Sequence, residues 1–370
     1  MLIWTIPGDM HAAAAWWALR QKGVTVLPAS AASFPDRARL SLEYGDSLNT
    51  RFRESTITYN VTEIPVHWLR RLGRPAVKEH IASSDHEMAL NEWKSALNSL
   101  RLIIASIGRF CVNPPHTYST YAEKPYHLYL AKNIGLNIPK TLISSSSSDV
   151  RIFLDSVDKV VFKAMKPSIW KDQYNAIYEI YTTEISKSIL KSQDNISLCP
   201  GIYQEFINKK CDVRITVMGK TVFALSITSG NEKEIDVRRN ISRRFSRDVD
   251  LSCSIIDVPQ EIIVKIFYFM KKLDLVFCTF DFVVDVNGKW YFLEANEMGQ
   301  FLWMETMCPE IHAIDAFSEF MISENKDFIY NENKSKNMVN ISDLMKKRFF
   351  DDYYEYFPHM ECTDDFYTYE

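Results

Sequence analysis

No window of this 370-residue chain holds an uninterrupted apolar span long enough for a membrane helix. The hydrophobic start "MLIWTI" is broken by Pro7, Gly8 and Asp9 before a signal peptide develops, so a cytoplasmic protein without a membrane partner is expected. Cysteine is sparse and irregular: seven residues, an odd number with no regular spacing, argue against a disulfide or zinc framework and for reduced thiols. The sequon Asn60-Val61-Thr62 is then a chance match. A net charge of -4 gives no global excess of positive charge, and no nucleic-acid partner is expected. Two phosphate-binding signatures are also missing. No G-x-G-x-x-G follows the first strand candidate, and "MGKT" at 218–221 lacks the earlier glycine of a P-loop. No long-period repeat is visible.

What is present is core-forming material, 46% hydrophobic and 13% aromatic, over a length that allows two or three domains. Residues 2–6, 12–22 and 24–27 read as strand, helix and strand, with Gly23 stopping the helix. Residues 85–107 carry apolar positions at helical spacing behind Asp85 as N-cap, and "EKPYHLYLAKNIG" reads as a further helix closing at Gly135. The serine tract 144–148 reads as a loop before a helix starting near Asp149. Strands are expected at 159–163 and 202–206, a hairpin over 213–228 turning at Gly219-Lys220, and a helix at 260–273.

The most informative stretch is "FDFVVDVNGKWYFLEANEMGQF", residues 280–301. Asn287-Gly288 suits a two-residue hairpin turn, because both residues tolerate positive φ. The register then sets Val283 against Phe292 and Asp281 against Glu294, with Asn296 two positions on along the same face. Two opposed carboxylates at about 5 Å repel by roughly 3 kcal/mol at an effective dielectric of about 20, so a positive partner is expected between them. Magnesium takes such oxygen ligands and usually shares its shell with nucleotide phosphates. A solvated hairpin edge with scattered acids is the plain alternative. The flanking Phe280, Phe282, Tyr291 and Leu293 favour burial.

Other residues add to this platform. Lys163 ends the apolar strand "VVFK", where it can meet phosphate or simply water. "YQEFI" at 203–207 can present backbone groups to an adenine edge, or be a core strand. Asp212 and Arg214 share a strand face, and Arg238 opens a basic segment with Arg239, Arg243, Arg244 and Arg247. Arginine forks hold phosphoryl and carboxylate oxygens, whereas Arg243, Arg244 and Arg247 read as a solvated charge run.

The order of Lys124, Lys163, "QEFI", "DVR", "FDF" and "FLEANEMGQF" resembles the ATP-grasp superfamily. More narrowly, "VHWLRRLGRP", "CVNPP", "KPYHLYLAKNIGLNIPKTLIS", "IYQEFINKKCDVRITVMGKTVFALSI" and "IDVRR" resemble the graspetide ligases, microviridin-type enzymes that close ester or amide rings in ribosomally made peptides. The resemblance implies a mixed α/β and α+β ATP-grasp fold, with an N-terminal β-α-β (pre-ATP-grasp) lobe at 1–120, a central lobe at 121–205 and a C-terminal lobe at 206–325. It implies ATP and magnesium as cofactors. Lys124 and Lys163 would contact phosphates; Gln204, Glu205, Phe206 and Ile207 would bind adenine, with Asp212 counted among the nucleotide-binding residues. Asp281, Glu294 and Asn296 would hold magnesium, and Arg214 and Arg238 would act at the reacting carboxylate and phosphate. The implied reaction is phosphorylation of a side-chain carboxylate of a precursor peptide, with leader and acidic core, then attack by a hydroxyl or amine. A homodimer is compatible with this reading. Alternatives are an ATP-grasp amino-acid ligase extending a peptide or protein, and an inactive ATP-binding scaffold.

The stretch 326–370 departs from the family. Its end, "FFDDYYEYFPHMECTDDFYTYE", carries acids and aromatics without Lys or Arg, which suits an acidic appendage or a tethered mimic docking on 238–247, with Thr363 and Thr368 as hydroxyl donors.

Overall fold

The structure, a computed structural model, describes residues 1–54, 57–71, 73–77, 81–120, 122–166, 169–171, 177–188, 193–229 and 251–346, together with Tyr353 and Phe357. Arg238, the rest of the basic segment, and Thr363 and Thr368 lie outside the described residues.

The chain opens with β1 (Leu2–Trp4) and α1 (Met10–Gln21), whose N-cap Asp9 accepts from the His11 and Ala12 amides. Gly23 adopts φ +79°, and Val24 N reaches back to Leu19 O at 3.0 Å. That closing bond spends Val24 on the helix end, so β2 forms at Leu27–Ala29, later than the 24–27 expected. Next come β3 (Ala38–Tyr44), β4 (Leu48–Glu54) and β5 (Ile57–Asn60), an antiparallel sheet not foreseen from the sequence. Then β6 (Val66–Leu69), α2 (His86–Ile107) and β7 (Phe110–Val112) complete a parallel sheet ordered β2-β1-β6-β7. Asp85 holds the N-cap position of α2, but its side chain makes no capping bond.

A second group begins with α3 (Lys124–Asn133), β8 (Thr141–Ser144), α4 (Ser147–Asp155) and β9 (Val160–Lys163). Here Ser146 caps Asp149 N at 3.3 Å, so α4 starts inside the serine tract expected to be loop. The pair β10 (Ile169–Lys171) and β11 (Ile177–Glu179), β12 (Thr183–Ile185), α5 (Gln193–Leu198) and β13 (Gly201–Glu205) follow. The main sheet here is antiparallel, ordered β12-β9-β13-β8.

The third group comprises β14 (Lys209–Met218), β15 (Thr221–Ser229), β16 (Leu251–Ile255), α6 (Gln260–Lys272), β17 (Phe277–Asp285) and β18 (Trp290–Asn296). Its antiparallel sheet runs β16-β15-β14-β17-β18. Alternation decides its faces: Cys211, Val213, Ile215 and Val217 pack on Ile262, Ile266 and Phe269 of α6, which turns Asp212, Arg214 and Thr216 the other way.

The hairpin between β17 and β18 corrects the expected register. Asp285 N bonds Lys289 O at 3.0 Å, and Gly288 takes φ +82°, so the loop has three residues and Phe282 opposes Phe292. A register shift between Asp281 and Phe282 restores the alignment, and Asp281 does oppose Glu294.

Finally α7 (Leu302–Met307), α8 (Ala313–Ser323) and α9 (Ile341–Lys346) pack back on the opening unit. One apolar core joins Trp16 and Trp17 of α1 and Trp68 of β6 to Phe277, Phe301, Phe317, Val339, Leu344, Tyr353 and Phe357. Among the described residues, no helix is long and apolar enough to cross a membrane.

Candidate active site

The polar face of the third sheet carries a row of side chains across three neighbouring strands. Arg214 on β14 opposes Asp281 on β17, which opposes Glu294 on β18. One step along, Thr216, Thr279 and Asn296 form a parallel row. Arg214 Nη1 donates to Asp281 Oδ1 at 2.6 Å, and Nη2 to Gln300 O at 3.4 Å. Only 9% of Arg214 is exposed, and its Nε-H has no hydrogen-bond partner among the described residues. A buried N-H of this kind costs about 1–3 kcal/mol, which marks a place where an oxygen ligand is expected.

Glu294 is met from another direction. Lys124, the first residue of α3, lies with Nζ 3.2 Å from Glu294 Oε2 and donates to Ala164 O at 3.3 Å. A cation at a helix N-terminus opposes the helix dipole, so this lysine stands there against local preference. Its carboxylate partner offsets that cost, and its reach to Ala164 brings it beside Lys163. Lys163 Nζ donates to Gln204 Oε1 at 2.7 Å, and Gln204 Nε2 to Thr141 Oγ1 at 2.9 Å. The positive charge expected between Asp281 and Glu294 is thus supplied in this structure by Arg214 on one acid and Lys124 on the other.

The remaining sequence candidates are placed as follows. Residues 206–208 connect β13 to β14 and so link the second sheet to the third. The Glu205 and Phe206 amides donate to Lys140 O and Lys159 O at 2.8 and 2.9 Å. Asp212 pairs with Lys209 at 2.6 Å, a lysine the sequence reading passed over. Asn296 Oδ1 accepts from the Met298 and Gly299 amides at 3.0 and 3.1 Å. An amide oxygen has two lone pairs, so Asn296 must release one of these bonds to ligate a metal. Also missed were buried His127 and Glu297: His127 Nε2 lies 3.0 Å from Glu297 Oε1 and from Thr120 O. Glu297 stands in the quoted "EANEMG", where it has no periodic partner, and only the packing of α3 on β18 reveals its neighbour.

The donor set suits a hard divalent cation that borrows ligands from phosphate. Asp281 and Glu294 carry about four acceptor sites each, the hard oxygen donors that such a cation takes. Among the described residues, no group of three or more His, Cys, Asp or Glu can hold a metal by itself.

An antiparallel sheet whose polar face carries Arg214, Asp281 and Glu294, reached by Lys124 from the preceding α+β group, is in keeping with an ATP-grasp architecture. Residues 123–313, more than half of the chain, match the RimK-like ATP-grasp domain, and the chain belongs to that family. No curated protein matches it. Among solved structures, a RiPP-associated ATP-grasp ligase of Chryseobacterium gregarium, in complex with ADP and a leader and core peptide, is similar with a TM-score of 0.77 at 21% identity, covering 89% of this chain and 99% of that one. Macrocyclase MdnC of Microcystis aeruginosa MRC, bound with precursor peptide MdnA, gives 0.74 at 22% identity over 87% and 99%. ATP-grasp ligase PsnB, complexed with a phosphomimetic variant of minimal precursor, Mg and ADP, gives 0.68 at 20% identity over 87% and 97%. At such identities the likeness establishes the fold.

Proposed function

We propose that the chain is an ADP-forming ligase that uses ATP to phosphorylate side-chain carboxylates of a ribosomally made precursor peptide, then joins them to hydroxyl or amine groups as macrolactone or macrolactam crosslinks. The observation that carries this reading is the row of Arg214, Asp281 and Glu294, with a buried guanidinium whose Nε-H lacks an acceptor among the described residues, inside an ATP-grasp domain. Arg214, with Arg238, orients the peptide carboxylate and meets the charge that develops as it is phosphorylated. Lys124 and Lys163 hold phosphate oxygens. Gln204, Glu205, Phe206 and Ile207 flank the adenine; since the Glu205 and Phe206 amides already bond Lys140 O and Lys159 O, reading its edge falls to Ile207. Asp212, steadied by Lys209, borders the nucleotide. Magnesium, when held by Asp281, Glu294 and Asn296, supplies positive charge against the phosphate oxygens. The peptides and ADP in the neighbouring structures support this substrate class by analogy. The proposed setting is cytoplasmic, with lobes at 1–120, 121–205 and 206–325.

The test is to incubate the chain with ATP, magnesium and peptides encoded by the short open reading frames beside its gene. Peptide-dependent ADP release with a loss of water per ring in the product mass is expected. Release that instead requires free amino acids, with mass gain, would replace cyclisation by amino-acid ligation; no release with any acceptor would leave a scaffold.

A further inference from the structure

Arg70, within "VHWLRRLGRP", and the segment around Asp9 lie outside the row of Arg214, Asp281 and Glu294, yet they converge on the turn that follows Asn296. Arg70, fully buried just past β6, donates from Nε to both Asp9 carboxylate oxygens at 2.9 and 2.8 Å. Its Nη1 donates to Met298 O at 2.6 Å and Gly299 O at 3.1 Å. Asp9 is fixed in turn by Thr5 Oγ1 at 3.0 Å and by capping α1. Burial works to raise the Asp9 carboxyl, but the Arg70 and Arg71 guanidiniums hold it well below the usual carboxylate range.

His11 continues the grip. Its Nε2 accepts from Phe301 N at 3.1 Å and Leu302 N at 3.4 Å, and its ring meets Phe301 edge-on at 5.4 Å. An accepting Nε2 requires the neutral ring with its proton on Nδ1. Burial and the Arg70 guanidinium, with Arg71 and Arg214 adding and Asp9 opposing, keep the imidazole well below its ordinary value.

The backbone of 298–302 is therefore held from both sides. The Met298 and Gly299 amides go to Asn296 and their carbonyls to Arg70. Gln300 O goes to Arg214, and the next two amides to His11. The turn has no slack, because Gly299 sits at φ +45° and a Cβ there would lie 2.5 Å from the Phe277 ring. Two residues of the proposed ligation site thus take their aim from a loop fixed by the opening unit.

We propose that Arg70, held by Asp9, and His11 are positioning residues: they fix residues 298–302 so that Arg214 and Asn296 are aimed for ligation, an inference that rests on the proposed function. Their loss should lower turnover and leave nucleotide affinity alone, since a misplacement of about 1 Å near the reacting groups costs on the order of 100-fold.

The experiment compares His11→Phe, which keeps ring packing without an acceptor, His11→Gln, whose amide oxygen stands near the Nε2 position, and Arg70→Lys, all in the full chain. In His11→Phe, kcat for peptide-dependent ADP release should fall roughly 10- to 100-fold, with the Kd of a non-hydrolysable ATP analogue within about twofold of the parent. Amide exchange at Phe301 and Leu302 should quicken about tenfold or more, and His11→Gln should return both readouts to within about threefold. Parental kcat in His11→Phe, an equal loss of nucleotide affinity, or a His11→Gln no better than His11→Phe overturns the role. If His11→Phe does not fold, Arg70→Lys decides on the same kcat and Kd readouts. A parent without peptide-dependent ADP release overturns the ligase reading and this role together, whereas a working parent with an indifferent His11→Phe overturns this role alone.

Discussion

Glu294 faces a like charge across the strands and a lysine 3.2 Å away, so Glu294→Gln removes an attraction together with a repulsion. Its stability should change by no more than about 1 kcal/mol, as for partly exposed pairs, while peptide-dependent ADP release disappears. Parental turnover at an unchanged melting temperature would take Glu294 out of the site. Lys163→Ala and Arg214→Ala should separate binding from chemistry. The first should weaken nucleotide binding, because Lys163 also anchors Gln204 beside the linker proposed to read adenine. The second should lower kcat about 100- to 1000-fold with nucleotide affinity nearly kept, as for loss of a donor to developing charge. Calorimetric titration with a non-hydrolysable nucleotide checks both, and equal affinity losses would refute the division. At this scale the pairing of Asp281 with Glu294, and Asn296 two positions on, were legible from strand alternation, although a bulge and not the expected two-residue turn kept the register. Arg70 and His11 were not, since their partners stand 228 and 290 residues away.

Between elements, single polar side chains do work that periodicity does not announce. Asn113, just past β7, donates to Phe277 O and Glu297 O at 2.8 and 2.9 Å and accepts from the Val276 and Phe277 amides at 2.9 Å. Asn113→Ala leaves four buried backbone groups unmatched and should cost about 3 kcal/mol or more in chemical denaturation. A loss below about 1 kcal/mol would mean that water replaces the clamp. Glu305 of α7 ties α8 and α9 together, accepting from Ile314 N at 2.9 Å and Ile341 N at 2.6 Å. Burial pushes its carboxyl up to about 7, against the pull of those amides. The folded chain therefore binds this proton more tightly than the unfolded chain does. The stability linked to it is present below about pH 4.5 and is lost as pH rises through about 7. Melting temperatures should fall more steeply over that window in the parent than in Glu305→Gln; equal slopes would remove Glu305 from the account.

For the whole molecule, the stretch beyond residue 330 is the instructive case. Its composition reads as an appendage, yet Val339, Leu344, Tyr353 and Phe357 are buried in the core of the opening unit, with Tyr353 and Phe357 edge-on to Trp16 at 5.2 and 5.7 Å. Lys22 adds ion pairs to Asp315 and Glu319 at 2.8 and 2.7 Å and bonds Ser335 Oγ at 3.0 Å. Four such side chains stabilise by roughly 1.5–3 kcal/mol each, comparable to the whole stability of a domain. Deletion after residue 330 should therefore unfold the chain, while deletion after 358 keeps all four of these side chains. A folded, monodisperse product of the first deletion would contradict this packing. Only the second can ask whether the acidic end competes with a peptide.

The sequence alone determined the strands and helices that carry the candidate site, while the β3–β5 sheet escaped it, because strand alternation and glycine turns act over a few residues. It placed the hairpin loop one residue short, and Asp281 still met Glu294 because a bulge restored the register. Tertiary structure alone decided what stands beside those acids, what holds the loop after Asn296, and that Val339, Leu344, Tyr353 and Phe357 close the first core. These contacts join segments more than three hundred residues apart at the extreme, where only tertiary packing brings Lys124 to Glu294, His11 to Phe301 and Trp16 to Tyr353.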